Sequence, residues 1–325
     1  MKTLYIIGNG FDISHDLDTK YQHFALYLKA NHNELYELIL KYYWLPDLDP
    51  NDQESLRNLK WGEFESKLAE MDFEELLEDF KDYLPDYGSD EFRSRDYHSF
   101  DQQVGAMIDR LTTELYVTFK EFILHVAFHE KPKCLLALET NAQFLSFNYT
   151  DTLERYYGIN KKHIKYIHGR AKTDGDTTIL GHGIDPIEFM DKTPVPPVGL
   201  SDADMEMWRE EQADNWDYAY DSGRQTAIGY FNTSHKSTSE IIAANAAFFD
   251  ALTDIERVIV LGHSISPVDQ PYFSKIIGSI TYSQPKWLVS YFSDVDIPER
   301  LNTLKSLGVS EAQIEFIKID DLKPD

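Results

Sequence analysis

The chain has 325 residues, of which 42% are apolar, and this is enough for one large globular α/β domain with a sizeable insertion. Its formal net charge of −25 repels phosphodiester backbones, which argues against nucleic acid as a partner. The single cysteine, Cys134, excludes an intrachain disulfide framework and any zinc module that needs two thiolates, so no zinc module is expected.

The apolar run at the start of the chain, residues 4–7, does not resemble a targeting segment. It is too short for a signal peptide or a membrane span. We therefore expect a cytoplasmic protein without a membrane partner.

The first predicted element is a strand over residues 4–7 that runs into a glycine turn, Gly8-Asn9-Gly10, and then a helix. Such an apolar run, rich in β-formers, favours a central strand of a parallel sheet. The two glycines permit positive φ and close approach of a ligand, and the N–H groups at the start of the helix can hold an anion. These features predict a nucleotide site. Because the full G-x-G-x-x-G is absent, a tight turn without a ligand stays open as the alternative.

The sequence from residue 34 to residue 130 is acidic and repeats its apolar residues at helical spacing. We interpret residues 34–130 as a helical insertion into an α/β core formed by residues 1–33 and 131–325. Its Glu and Asp residues are placed on solvated faces. The insertion is the expected contact surface for a homo-oligomer or a partner protein.

After the insertion, short apolar runs alternate with helical stretches. This alternation is typical of a doubly wound, Rossmann-like parallel sheet. Residues 186–240 interrupt it and are interpreted as a second insertion or lid. Strands are predicted at residues 143–147, 164–167, 178–180, 257–261 and 286–292.

Polar side chains collect where these strands end. Asn148 follows one strand, His168 follows the next, and His263 follows a later one. In parallel sheets of this kind the ligand binds beyond the carboxyl ends of the strands. The strand ends therefore predict one shared site.

The order and type of these motifs resemble the sirtuin-like nucleotide-binding superfamily. In that superfamily a glycine-rich turn holds the diphosphate of NAD, an asparagine lies near the nicotinamide ribose, a His-Gly pair supplies the catalytic histidine, and a Gly-x-Ser turn holds the adenosine side. Protein-deacylating sirtuins also carry a four-cysteine zinc module, which this chain lacks. The matching motifs are Gly8-Asn9-Gly10, Asn148-Tyr149-Thr150-Asp151, Ile167-His168-Gly169 and Gly262-His263-Ser264.

More narrowly, the chain resembles the bacteriophage abortive-infection AbiH family over most of its length. This resemblance implies a phage-defence protein that binds NAD as its substrate and hydrolyses it to nicotinamide and ADP-ribose. The motifs that carry it are residues 6–12, 19–21, 147–154, 167–169 and 261–264, with Asp269.

The resemblance makes His168 and Asn148 the catalytic residues. A histidine near its ordinary pKa can deprotonate a water or a ribose hydroxyl at neutral pH, and an asparagine amide can orient either group. No metal ligand is assigned. The residues expected to bind the dinucleotide are Gly8, Asn9, Gly10, Phe11, Asp12, Tyr149, Asp151, Gly169, Gly262, His263 and Ser264.

Within that set, the N–H groups of the Gly8-Asn9-Gly10 turn are expected to hold phosphate, which needs no basic residue. Asp12 and Asp151 are candidates for the ribose hydroxyls.

Two other hypotheses stay open. One is a nucleotide-binding sensor or regulatory protein without turnover. The other is a metal-assisted nucleotide hydrolase in which His168, His182 and His263 bind a metal ion with Asp151 or Asp185.

Overall fold

Six parallel strands lie at the centre of the part of the chain that a computed structural model describes, residues 2–132, 135–173, 175–192, 194–214, 216–281 and 284–322. Cys134 lies outside the described residues. The order across the sheet is β3-β2-β1-β4-β5-β6, and every neighbouring pair is parallel. The predicted α/β fold with a parallel sheet is thus confirmed. The strands are β1 (Thr3–Ile7), β2 (Gln143–Ser146), β3 (Ile164–Tyr166), β4 (Arg257–Leu261), β5 (Lys286–Tyr291) and β6 (Ile314–Lys318).

β1 is a central strand whose two faces are both covered. Leu4 and Ile6 are buried in one apolar cluster, and Tyr5 and Ile7 are buried in another. A strand buried on both faces has a nearly continuous apolar sequence, because neither face meets water. The central position predicted for residues 4–7 is therefore confirmed.

One predicted strand, at residues 178–180, is wrong. Thr178 pairs with Gly169 in a single antiparallel bridge, and Ile179 N–H donates to His168 O at 2.8 Å. These contacts turn the segment back on the end of β3, so it does not join the sheet. The other predicted strands are confirmed as β2, β3, β4 and β5.

Helices cover the sheet and continue into the segments between its strands. A π-helical turn, Arg110–Glu114, joins α7 to α8. None of the helices in the described ranges is long and apolar enough to cross a lipid bilayer. The helices are α1 (Asn9–Ile13), α2 (Tyr21–Asn31), α3 (Asn33–Tyr42), α4 (Leu59–Gly62), α5 (Phe64–Lys67), α6 (Phe73–Phe80), α7 (Ser99–Asp109), α8 (Leu115–Leu124), α9 (Thr152–Tyr157), α10 (Asp202–Asp214), α11 (Tyr218–Thr233), α12 (Thr238–Ala244), α13 (Ala246–Asp250), α14 (Gln270–Ser279) and α15 (Ile297–Ser306).

The helices of residues 34–130 pack with α11 around an apolar core that also includes Phe24, Leu28 and Tyr149, and we call these helices and α11 the helical region. The hydroxyl groups of Tyr43 and Tyr230, both fully buried, lie 2.9 Å apart in that core. Phe189 stacks on Phe231 with ring centroids 3.8 Å apart. Phe189 and α11 belong to the second predicted insertion, residues 186–240. They therefore pack on the first predicted insertion, residues 34–130.

Candidate functional site

A cavity of about 830 Å³ lies at the carboxyl ends of β1, β2 and β4. This volume is within the range of small-molecule sites. Helices α2, α5, α8 and α15 complete its wall. Residues from the strand ends and the segments after them include Gly8, Asn9, Gly10, Asp12, Phe147, Asn148, Tyr149, Thr150, His168, Gly262, His263, Ser264 and Asp269. Residues from the helices include Tyr21, Gln22, Glu65, Ser66, Phe119, Ile123, Arg300 and Thr303.

Two loops, after β1 and after β4, cross main chain against main chain at this cavity. Gly8 has φ −118°, which any residue can adopt. Glycine is needed there because the first loop has no room for a side chain. A Cβ on Gly8 would lie 2.6 Å from His263 Cα, and one on Gly10 would lie 2.8 Å from Gly262 Cα. Gly262 has φ +63°, and its Cβ would lie 2.1 Å from Phe11 N. The crossing therefore leaves no room for a side chain at any of the three glycines.

The crossing also uses backbone donors that the sequence assigns to phosphate. Gly8 N–H donates to Leu261 O at 2.9 Å, and Gly10 N–H donates to Gly262 O at 2.8 Å. Within the described parts of the chain, Asn9 N–H makes no hydrogen bond. One of the three N–H groups is therefore available to an anion, and the other two hold the loops together.

The Asn9 side chain closes the loop after β1. Its Nδ2 donates to Thr19 O at 2.9 Å, and Thr19 Oγ1 donates to Asn9 Oδ1 at 2.6 Å. This pair of hydrogen bonds fixes the start of α1 to the segment that leads into α2. Both ends of the loop are thus held before any ligand binds.

Asp12 is a buried carboxyl in the cavity wall, with 1% of its surface exposed. Thr150 Oγ1 donates to its Oδ2 at 2.6 Å, and Thr152 Oγ1 donates to its Oδ1 at 2.7 Å. Burial raises the pKa of Asp12 to about 6, and the two hydrogen bonds limit the rise. Both oxygens thus accept hydrogen bonds from the protein, although a ribose hydroxyl could still use their remaining lone pairs.

Asn148 offers an amide donor inside the cavity. The residue is 6% exposed, and its N–H donates to Ser146 Oγ at 3.2 Å. Its side chain lies close enough to Asp12 to lower the pKa of that carboxyl, yet Nδ2 makes no hydrogen bond of acceptable geometry to the described residues. A buried donor left unpaired costs about 1–3 kcal/mol. A ligand hydroxyl or carbonyl that accepted from Nδ2 would recover this energy.

His168 is buried against the rings of Phe147 and Tyr272. Its Nε2 lies 3.3 Å from Tyr272 Oη and 3.9 Å from Asp269 Oδ1. Burial, followed by the positive charge of Lys236, lowers the pKa of His168 well below its ordinary value. The expectation of a histidine near its ordinary pKa is therefore wrong, because the cavity wall removes the ring from water. At neutral pH His168 is an uncharged imidazole, able to hydrogen-bond but weak as a proton acceptor.

The turn after β4 fixes the orientation of His263. Ile265 N–H donates to His263 Nδ1 at 2.9 Å, which places the ring proton on Nε2, 3.5 Å from Asp269 Oδ2. Burial, with the charge of Arg300, lowers the pKa of His263 to about 3. Ile265 has φ +57°, a strained conformation for a β-branched residue. The strained turn thus directs a neutral His263 at Asp269.

Three residues expected in the site lie outside the cavity lining. Phe11 is fully buried beneath the first loop. Asp151 forms an ion pair with Lys172 at 2.9 Å. Gly169 has φ +77°, and a Cβ there would lie 2.0 Å from Thr177 O. In this structure, packing, an ion pair and a tight turn account for these three residues.

His182, which one hypothesis places in a metal site, is not part of the cavity lining. It is fully buried, with its ring centroid 5.7 Å from that of Phe189, and its Nδ1 accepts from Ile184 N–H at 3.3 Å. Across the described ranges, no group of three or more His, Cys, Asp and Glu residues is arranged to hold a metal ion. His182 thus does not join His168 and His263 in the metal centre that this hypothesis requires.

A family model covers most of the chain. The family is described as bacteriophage abortive infection AbiH, and its model matches residues 4–291. The chain belongs to the AbiH family. Membership indicates a role in abortive infection by bacteriophage. No curated protein and no solved structure matches the chain.

In this AbiH protein, two charged residues near Asp269 were not predicted from the sequence. Lys236, whose side chain is 1% exposed, pairs with Glu65 and lies 3.7 Å from Asp269 Oδ1. Burial by itself would lower the pKa of Lys236, but the two carboxylates outweigh burial and raise it. Neither Lys236 nor Glu65 has a local sequence signal, because they meet only when the helical region packs on the sheet. Asp269 had a signal in its place after the Gly-His-Ser motif.

Proposed function

We propose that this AbiH protein binds NAD in the cavity and hydrolyses the bond between nicotinamide and ribose, depleting the cytoplasm of the infected cell of the dinucleotide. The observation that carries the proposal is that Asn148 and His168, which follow two different strands, line one cavity with the crossing glycine loops. The resemblance to sirtuin-like proteins assigns these two residues to the nicotinamide ribose and to catalysis.

The position of the cavity in the sheet supports a dinucleotide ligand. The strand order β3-β2-β1-β4-β5-β6 reverses between β1 and β4, and the cavity lies at the carboxyl ends of these two strands. Dinucleotide-binding Rossmann sheets have this order and bind their ligand at this switch point. A Rossmann-like, sirtuin-like nucleotide fold is therefore part of the proposal.

The charged residues of the cavity match the charged groups of NAD. Glu65 and Asp269 line it, and carboxylates there would favour the cationic nicotinamide ring and the positive charge that develops on the ribose. Arg300 lines the cavity beside the turn after β4, where its Nη1 donates to His263 O at 3.1 Å. Because two of the glycine N–H groups are engaged, Arg300 is the main candidate for the diphosphate.

The chemistry follows from the state of the two predicted catalytic residues. Asn148 Nδ2 donates to a ribose hydroxyl, and the neutral His168 hydrogen-bonds a second hydroxyl or the attacking water. Nicotinamide leaves as a neutral molecule, so the site needs to stabilise the ribosyl cation more than to protonate the leaving group. Water then adds to the ribose carbon and gives ADP-ribose.

Release of free nicotinamide from NAD by the purified protein tests this proposal. We expect turnover by the wild type, and a loss of about 100-fold or more in His168→Ala and Asn148→Ala. His163→Ala and Asn51→Ala are matched controls, because both residues lie outside the cavity lining. Turnover that survives both cavity substitutions would remove the proposed site.

A sensor without turnover is the second candidate function. It is favoured by the lowered pKa of His168, since a weak base gives slow chemistry. Binding of ADP-ribose in a calorimeter together with no release of nicotinamide would select this function over hydrolysis.

Assembly through the helical region is part of the proposal, because a cofactor-depleting enzyme has to be held inactive in healthy cells. Sedimentation of the protein with and without ADP-ribose tests it. We expect a larger species in at least one state, and a monomer in both states would remove this part.

A further inference from the structure

Asp269, which lines the cavity, has one carboxylate oxygen engaged and one unpaired. Oδ2 accepts from Ser266 Oγ at 3.0 Å and lies 3.5 Å from His263 Nε2. Oδ1 is buried and accepts no hydrogen bond from the residues that the structure describes. Lys236 Nζ lies 3.7 Å from it and His168 Nε2 lies 3.9 Å from it. Both nitrogens are too distant for a direct hydrogen bond to Oδ1. They are close enough that the oxygen of a water or a ligand could contact Oδ1 and one of the two nitrogens at the same time.

The carboxylate is held in place from the side of the helical region. Glu65 on α5 pairs with Lys236, and Lys236 in turn faces Asp269, so the charges alternate in sign along the row. Lys236 N–H also donates to His182 O at 2.8 Å, which fixes its main chain. A buried lysine between two carboxylates attracts both of them and holds them in place.

A second unpaired polar group lines the same cavity. Asn148 Nδ2 donates to none of the described residues, although the residue is 6% exposed. The cavity thus presents one unpaired donor and one unpaired acceptor, which suits a ligand with hydroxyl groups or a bound water.

We propose that Asp269 is a catalytic carboxylate of this site and that it accepts the proton of the water that attacks the ribose. The inference rests on the proposed function. As the water oxygen bonds to the anomeric carbon of ribose, one water proton passes to Asp269 Oδ1. The bond from that carbon to nicotinamide breaks with its electron pair on the ring nitrogen, which becomes neutral. Asp269 then releases the proton to solvent, and the products are nicotinamide, ADP-ribose and one proton.

His168 is the less suitable acceptor for that proton. Burial and the charge of Lys236 lower its pKa well below the ordinary value, so its protonated form is disfavoured throughout the reaction. Its neutral ring remains able to position the water or the ribose beside Asp269.

The test compares Asp269→Asn and Asp269→Ala with Asp250→Asn, a control at an exposed aspartate 3.7 Å from Lys275. We expect kcat for nicotinamide release to fall about 100-fold or more in both Asp269 variants, with the KM for NAD changed far less. Added formate, a small carboxylate, should restore part of the activity of Asp269→Ala and leave Asp269→Asn unchanged. A purely structural role would not respond to formate.

The outcomes of this test distinguish failure of the inference from failure of the proposed function. If the wild type turns over NAD and Asp269→Asn keeps its kcat, the inference is overturned and the proposed function stands. The same holds if Asp269→Ala loses kcat and formate does not restore it. Absence of wild-type turnover would overturn both. Loss of kcat with rescue by formate, in variants that keep the melting temperature of the wild type, supports Asp269 as the proton acceptor.

Discussion

Gly10 and Gly262 lie main chain against main chain where the loops after β1 and β4 cross. Gly10 N–H donates to Gly262 O at 2.8 Å, and a Cβ on Gly10 would lie 2.8 Å from Gly262 Cα. The contact joins two loops that are distant in the sequence and sets the shape of the cavity between them. The geometry of the cavity therefore depends on two residues that have no side chain.

Gly262→Ala is expected to destabilise the protein by more than about 2 kcal/mol, because it combines a positive φ with a collision against the next loop. The control is Gly229→Ala in α11, where nothing lies within 4 Å of the added Cβ. That change is expected to be neutral or to stabilise by up to about 1 kcal/mol. Urea unfolding of both variants measures the difference, and equal midpoints would contradict the close crossing.

The buried Asp12 is expected to make the stability of the protein depend on pH between the pKa of this carboxyl in the unfolded chain and its pKa in the folded protein. Its pKa is about 6 in the folded protein and 3.8 as the ordinary value, so between them the folded state binds more protons than the unfolded state. Stability from this group is fully present below the lower value and falls by about 3 kcal/mol as pH rises through 6. Asp12→Asn should flatten this part of the profile in urea unfolding, while Asp250→Asn should not. An unchanged slope in Asp12→Asn would show that Asp12 is not the source.

The ring of His263 is expected to stay neutral down to pH 5, and that of His168 to stay neutral over the pH range in which an exposed histidine becomes protonated. Burial lowers the pKa of both, that of His263 to about 3. Nitrogen NMR of labelled protein measures the protonation of the two rings. Their signals are assigned by their loss in His168→Gln and His263→Gln. A midpoint near pH 6.5 for either ring would mean that water reaches it, contrary to the packing described.

Lys236→Met is expected to cost about 3–5 kcal/mol, because it leaves two carboxylates facing each other without the cation between them. Lys275→Met is the matched control, since Lys275 pairs with Asp250 at an exposed site and such pairs contribute about 0–1 kcal/mol. Thermal unfolding at neutral pH compares the two. A small effect of Lys236→Met would mean that the row of charges contributes little to stability.

The sequence predicts the sheet well where strands are buried on both faces. After their first residues, β1 and β4 are continuous apolar runs rich in β-branched and aromatic residues, and their length is typical of strands and short for a helix. β6 is an edge strand whose residues are mostly half-exposed, so it carries no such signal. The strand predicted at residues 178–180 has the right composition, but Thr178 pairs with Gly169 and Ile179 with His168, both beyond the end of β3.

The site is predictable only in part, for a related reason. Asn148 and His168 could be placed together because parallel strands end on the same side. The pKa of His168 could not be predicted, since it depends on Phe147, Tyr272 and Lys236, which reach it from other parts of the chain. Glu65 was equally hidden, because one acidic residue among many on short helices has no distinguishing pattern.

The most direct measurement is a crystal structure of the protein with carba-NAD, an analogue whose nicotinamide bond cannot be hydrolysed. We expect the nicotinamide ribose between Asn148 and His168, the diphosphate beside Arg300, and a water or hydroxyl oxygen on Asp269 Oδ1. An analogue bound elsewhere on the surface, or bound with its ribose out of reach of both Asn148 and His168, would contradict it.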